Sequence, residues 1–397
     1  MRITLVRKLI VSGLLAFFVV SSLHCFGGSK RTRRLSKKEI QERLKKLETP
    51  GLLIGEFPLA RNDVIDGDTV RVAGLDTSLR LLAIDTEETF KSDADLRLFE
   101  AGFEKYLVAK RAGSVKPVKA ATPLGEDAKK FAAEFFDGAK TVRLERDHPK
   151  EIRGRFNRYL AYIMVKKKGD WVNYNLECVR VGMSPYFTKY SYSRRFHDQF
   201  VQAQKEAQKK GLGIWDPGKQ HYRDYPERLE WWNVRADFIK QFEEDAKGKD
   251  NHIVLTNWDA LRRMEKFVGK EVVILSTVGE VKLGDKGPTK VMLSRRMMAD
   301  FPLIFFDKGV FGSSRIARFS GEFVRVTGIV TRYRNRHDNR EELQIEIKLP
   351  GQIVGSELSP NYSGWDTEGV EQEAEREADK PQPLPPKQPE VKKEGGK

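Results

Sequence analysis

Leu79-Arg80-Leu81-Leu82-Ala83-Ile84-Asp85-Thr86-Glu87-Glu88 sets the frame for the rest of the chain. It opens as a strand, with Arg80, Leu82 and Ile84 on one face, and it ends in a crowd of carboxylates. A guanidinium inside an apolar run is costly unless it meets an anion. Carboxylates gathered at one point repel each other unless a metal ion or cationic side chains sit among them. The segment therefore reads either as a solvated acidic loop with Arg80 at a sheet edge, or as part of one polar site.

Upstream lies Val64-Ile65-Asp66-Gly67-Asp68-Thr69-Val70-Arg71-Val72. Asp-Gly between β-branched runs is a turn signal. The carboxylates flanking the glycine suit Ca2+, which takes carboxylate, carbonyl and water oxygens; alone, the segment reads as well as a plain hairpin tip. Downstream, Gly154-Arg155-Phe156-Asn157-Arg158-Tyr159-Leu160-Ala161-Tyr162-Ile163 is a basic turn feeding an alternating strand. Arg158 stands at the strand's start, placed to reach a phosphate.

Together with Val172-Asn173 and Lys209-Lys210-Gly211-Leu212-Gly213-Ile214-Trp215, these pieces resemble the staphylococcal (micrococcal) nuclease family, in the family's order, across about Ala60 to Pro217. The resemblance implies a mainly β, α+β fold: an OB-type five-stranded barrel with helices. It also implies hydrolysis of DNA and/or RNA with low sequence specificity. Asp68, Asp85 and the Thr86 carbonyl would hold Ca2+, Glu88 would act as general base, and Arg80 and Arg158 would grip the scissile phosphate. The chemistry is coherent. A phosphodiester repels hydroxide, and a cation with two guanidiniums offsets that charge in the transition state. Arginine pairs with phosphate through a fork that stays charged, and glutamate can take a proton from ordered water. Tyr186 and Tyr190 fall where the family places tyrosines near the nucleotide; stacking on a base or sugar and ordinary packing are both open. His197 has no role in this scheme.

The departures from the family pattern fall at the site. Thr86-Glu87-Glu88 stands where the family has Thr-Pro-Glu, which loosens the turn and adds a carboxylate that competes for the water or the cation. Arg155 rivals Arg158 for the phosphate. The stretch from Thr89 to Pro123 is longer than the family loop. Leu96, Phe99, Phe103, Tyr106 and Leu107 give it helical periodicity over Asp93 to Arg111, so it is either a helical flap beside the site or a surface insertion without a role.

The rest of the 397-residue chain divides around this region. Arg2, Arg7 and Lys8 precede an apolar run, Leu9 to Val20, so residues 1–28 read as a signal peptide or N-terminal anchor, with Cys25 a candidate lipidation site. The chain is expected to be exported: secreted, periplasmic or associated with the cell envelope. Residues 29–58 are a basic linker or helix, 59–218 the nuclease-like domain, and 219–267 a helical linker carrying Trp231 and Trp232. Residues 268–354 hold strand-like runs that fit a second OB-like barrel. The tail, 355–397, is rich in Pro, Glu and Lys and is expected to be disordered. Cys25 and Cys178 are the two cysteines; no disulfide-linked partner is expected, and Cys178 reads as a small buried hydrophobe. With 72 Lys and Arg against 57 Asp and Glu, a net +15, polyanions are favoured partners. In the second barrel Arg332, Arg334 and Arg336 flank Tyr333 on a hairpin, and read either as an oligonucleotide grip or as a solvated tip. The competing function is a non-catalytic nucleic-acid-binding or cell-envelope scaffold built on the same barrels.

Overall fold

A computed structural model describes residues 50–114, 116–154, 158–295, 300–334, 339 and 341–356 of the chain. The signal or anchor segment, Cys25, Arg155, Arg336 and the tail beyond residue 356 lie outside the described residues. Among the described residues no helix is long and apolar enough to cross a membrane.

The first barrel is built from β1 (Leu53–Asp66), β2 (Thr69–Val72), β3 (Leu79–Leu81), helices α1 (Asp93–Glu100), α2 (Phe103–Arg111) and α3 (Pro123–Phe136), then β4 (Thr141–Glu145), β5 (Tyr159–Lys167), β6 (Asp170–Asn173), α4 (Tyr174–Arg180) and α5 (His197–Lys210). Its strands run in the order β2-β1-β4-β5-β3, with β6 hung on β5. β3 lies parallel to β5, Arg80 opposite Leu160. Alternation sends Val70, Val72, Leu79, Leu81, Val142, Leu144, Tyr159 and Ala161 into a common core. Cys178 is buried in that core, as the sequence predicts. Helix α3 is capped at its start: the Thr122 hydroxyl accepts from the Gly125 amide and Pro123 follows the cap. Its apolar face, with Leu124, Ala128, Ala132, Phe135 and Phe136, is buried.

Helix α6 (Tyr225–Asp245) leads to the second unit, which comprises β7 (His252–Val254), α7 (Ala260–Glu265), β8 (Glu271–Lys282), β9 (Thr289–Leu293), β10 (Phe301–Phe305), α8 (Lys308–Ser314), β11 (Phe323–Arg334), β12 (Glu341–Glu346) and β13 (Ile353–Gly355). Neighbours run β8-β9-β10-β12-β11, and β11 pairs back onto β8, so five strands close on themselves. The third and fifth strands of the ring, β10 and β12, are parallel, like β3 and β5 of the first barrel. The two units thus share one strand order, that of an OB-type barrel. β7 pairs with β8, so the second sheet begins inside the stretch that the sequence assigns to a helical linker.

The insertion after Thr89 is helical over the predicted span, but as two helices separated at Ala101 and Gly102. Phe103 and Tyr106 pack with Ile214, Tyr222 and Tyr225. Trp231 of α6 meets the second unit through its indole N–H on Glu322. Trp232 packs instead edge-on against Phe187.

Candidate active site

The Asp66-Gly67-Asp68 turn and the Asp85-Thr86 loop meet because Gly67 has no side chain. A Cβ there would stand 2.7 Å from the Thr86 methyl and 2.8 Å from Ala128. Tyr174 donates to the Gly67 carbonyl at 2.7 Å and closes the turn from below. At the end of β3, Ala83 takes a left-handed conformation, φ 61°, which costs about 1–2 kcal/mol for a residue with a Cβ. Its carbonyl accepts from the Phe187 amide at 3.0 Å, and the Asp85 amide donates to the Ser184 hydroxyl at 2.8 Å. The acidic loop is thereby fastened to the segment after α4.

Arg80 lies between the two aspartates, donating to Asp68 Oδ2 at 2.5 Å and to Asp85 Oδ1 at 2.7 Å. Its guanidinium also faces the Phe187 ring at 5.5 Å. The insertion adds a second cation: Lys119 Nζ stands 2.9 Å from Asp85 Oδ1, 3.1 Å from Glu88 Oε1 and 3.8 Å from Asp68 Oδ2. Burial works to raise the Asp85 carboxyl, but Lys119 and Arg80 outweigh it and hold it well below the usual carboxylate range. Asp66 has a cation no nearer than the exposed Lys91 at 3.9 Å among the described residues; burial first, and the neighbouring Asp68 second, push its carboxyl up to about 6. Lys91 reaches Glu88 Oε2 at 3.1 Å.

Glu87 does not compete for water or cation. It is turned inward and 1% exposed, where it accepts from the Tyr222 amide at 2.7 Å, the Tyr225 hydroxyl at 2.8 Å and the Thr122 hydroxyl. Burial is the main cause that lifts its carboxyl to about 7, partly offset by these donors. The turn that a proline would stiffen is fixed here by a buried glutamate. Glu88 is held by the insertion: its amide donates to the Ala120 carbonyl, and its carbonyl accepts from the Thr122 amide at 3.0 Å. Gly125 makes this approach sterically open, since a Cβ there would overlap the Glu88 carbonyl. Glu87→Pro, which installs the family residue, is therefore expected to weaken the fold by about 2–3 kcal/mol, because buried donors lose their acceptor. Denaturant titration with the slope compared to wild type measures it.

The remaining sequence candidates separate. Arg158 precedes β5 by one residue; counting back from Leu160 puts it on the same outward face as Arg80, two positions along the neighbouring strand. It has no ion-pair partner among the described residues. Of the two roles left open for Tyr186 the structure shows packing: it is 5% exposed, stacked on Phe200 at 5.0 Å, accepts from the Ser193 amide at 2.7 Å and shares a hydrogen bond with His197 Nδ1 at 3.0 Å. Tyr190 is 60% exposed, with Phe187 in edge contact at 5.6 Å and the Lys189 ammonium 5.7 Å from its ring centroid. Arg332 is tied to Glu265 and Glu341, so that guanidinium is not a free grip. Arg332 and Arg334 lie about ten residues up β11 from Glu322, which receives Arg235 of α6. Sequence reasoning missed Lys119 and Phe187. Neither carries a periodic or motif signal, and both meet the site only through the fold.

Side-chain and carbonyl oxygens make up the donor set around Asp68, Asp85 and Thr86, and the Thr86 hydroxyl is buried without a hydrogen-bond partner among the described residues. Such donors fit a hard cation. Among the described residues no group of three or more carboxylate, histidine or cysteine side chains is assembled to hold a metal ion; amino and guanidinium groups stand on the carboxylates instead.

Residues 78–217 match the staphylococcal nuclease homologue family. The thermonuclease of Staphylococcus intermedius is 31% identical over 164 residues, 41% of this chain and 77% of that protein. The thermonuclease of Staphylococcus hyicus is 31% identical over 157 residues, covering 38% and 72%. An uncharacterized protein of Methanocaldococcus jannaschii is 30% identical over 155 residues, covering 38% and 69%. With its OB-type strand order, the paired aspartates around Arg80 and these relatives, the chain belongs to the staphylococcal nuclease family.

Proposed function

We propose that the chain is a calcium-dependent nuclease that hydrolyses phosphodiester bonds of DNA or RNA with low sequence specificity. The observation that carries this is the convergence of Asp68, Asp85, Glu88 and Arg80 at one end of the barrel. The thermonuclease name of two relatives supports it. Asp68, Asp85 and the Thr86 carbonyl are the oxygens that would hold Ca2+. When bound, the ion supplies charge to the phosphate and favours ionisation of water. Glu88 accepts the proton as the water oxygen bonds to phosphorus. Arg80 and Arg158 hold the non-bridging oxygens while the bond to the departing ester oxygen breaks. For that step Arg80 turns at least one nitrogen from its aspartates to the phosphate. Tyr190 offers its exposed ring for stacking. Export of the chain is part of the same proposal and rests on Arg2, Arg7 and Lys8 ahead of the apolar run from Leu9 to Val20.

Glu88→Gln keeps the shape of the side chain and removes its basicity. Cleavage of single-stranded and duplex DNA in calcium is expected to fall about a hundredfold or more, with thermal stability near wild type. Chelation is expected to abolish the wild-type rate. One observation favours a second reading, a binding barrel without catalysis: Arg80 and Lys119 already neutralise the carboxylates. A wild-type chain that retains nucleic acid but leaves it intact with calcium present establishes that reading instead.

A further inference from the structure

Lys119 lies in the insertion, and its backbone is held on both sides. Tyr222 donates to the Ala120 carbonyl at 2.6 Å and accepts from the Ala120 amide at 2.8 Å. Tyr106 accepts from the Ala121 amide at 3.0 Å, and Arg228 donates to the Val118 carbonyl at 2.5 Å. Ala121 bridges to Glu88. Each of these hydroxyls or guanidiniums belongs to a buried residue. The lysine is thus aimed from a fixed strand-like segment, and its ammonium reaches Asp85 at 2.9 Å, Glu88 at 3.1 Å and Asp68 at 3.8 Å. Those carboxylates are the ones that the metal and the attacking water require.

We propose that Lys119 is a built-in cation competing with the metal, so that Ca2+ enters only by displacing its ammonium from Asp85, Asp68 and Glu88. The inference rests on the calcium reading above. An ammonium and a divalent ion cannot share one set of oxygens at contact distance. The apparent affinity for the metal is therefore reduced by the fraction of molecules in which Lys119 is withdrawn. Side-chain exposure of 39% leaves Lys119 a route into solvent. The insertion then acts as a threshold device: calcium-poor surroundings keep the site closed by its own lysine, and calcium-rich surroundings open it.

Calorimetric titration of Ca2+ into the full chain, without substrate, tests this. Lys119→Gln is expected to bind Ca2+ about tenfold more tightly than wild type, and Lys119→Arg to bind it no more tightly. Lys91→Gln is the control for simple loss of positive charge, because Lys91 contacts Glu88 at 3.1 Å and Asp66 at 3.9 Å but not Asp85; a clearly smaller gain is expected. The rise in melting temperature with added Ca2+ gives a second readout. Equal affinity in Lys119→Gln and wild type overturns the competition, as does an equal gain in Lys91→Gln. No calcium binding by either wild type or Lys119→Gln overturns the calcium reading itself, and the inference with it.

Discussion

Arg80→Ala is expected to lower phosphodiester cleavage by about 10³–10⁵ and to destabilise the fold by about 3–5 kcal/mol. The two effects share a cause. Arg80 spans Asp68 and Asp85 at 2.5 and 2.7 Å, and both aspartates are buried. Removing it leaves carboxylates facing one another with only Lys119 between them, and it takes away the charge meant for the phosphate. Arg80→Lys separates the parts: one ammonium cannot fork to both aspartates, so stability should recover in part while cleavage stays low. Chemical denaturation and initial rates on the same preparations decide it. Wild-type stability in Arg80→Ala would mean that the guanidinium is not what holds the carboxylates together.

The strand order was legible because it rests on short-range patterns. Val70 and Val72, and Leu79 and Leu81, alternate into the core, and Asp-Gly at 66–67 marks the turn between β1 and β2. In the second barrel the long strands β8 and β11 carry the same alternation. β7 and β13 are three residues each, too short for a period of two to register. They exist because β8 and β11 offer them free edges.

Asp68, Arg80, Asp85 and Glu88 could be picked out because their motifs resemble those of the nuclease family; the cost of their residue types marked only a cluster that also read as a solvated acidic loop. What they meet was not legible. Glu87 looked like a loose extra acid because its partners, Tyr222 and Tyr225, come 135 and 138 residues later. Sequence distance hides Lys119 as well: it lies in a stretch without period, and the residues that fix the backbone on either side of it, Tyr222 on Ala120 and Arg228 on Val118, come 102 and 110 residues later. Tyr186 shows the opposite case, a role left open between stacking and packing. Its place beside the site is right in sequence, but Phe200 on α5 takes its face and leaves the exposed ring to Tyr190.

Glu322→Ala is expected to cost about 3–5 kcal/mol and to loosen the second barrel from the first. Glu322 is fully buried at the start of β11. Its carboxylate receives Arg235 of α6, the Trp231 indole at 3.2 Å and, at 3.1 Å, Lys116 of the insertion. Without it, Arg235 keeps, among the described residues, the carbonyls of Lys189 and Gly321 and the Trp231 and Phe323 rings, but no anion, for a charge that burial already drives down from its ordinary pKa, with Glu322 opposing. The loss is expected to be one of mispairing and not of packing. The double variant Glu322→Leu with Arg235→Met should therefore regain part of the stability, since it removes both members of the buried pair, while the Lys116 ammonium and the Trp231 indole N–H still lose their acceptor. Lys116 stands three residues before Lys119, so the same contact ties the second barrel to the segment that aims Lys119 at the carboxylates. Glu322→Ala is accordingly expected to weaken Lys119's hold and to tighten Ca2+ binding, whereas the apolar double variant, with its barrels rejoined but Lys116 still without its carboxylate, shows whether docking or that single lysine contact transmits the effect.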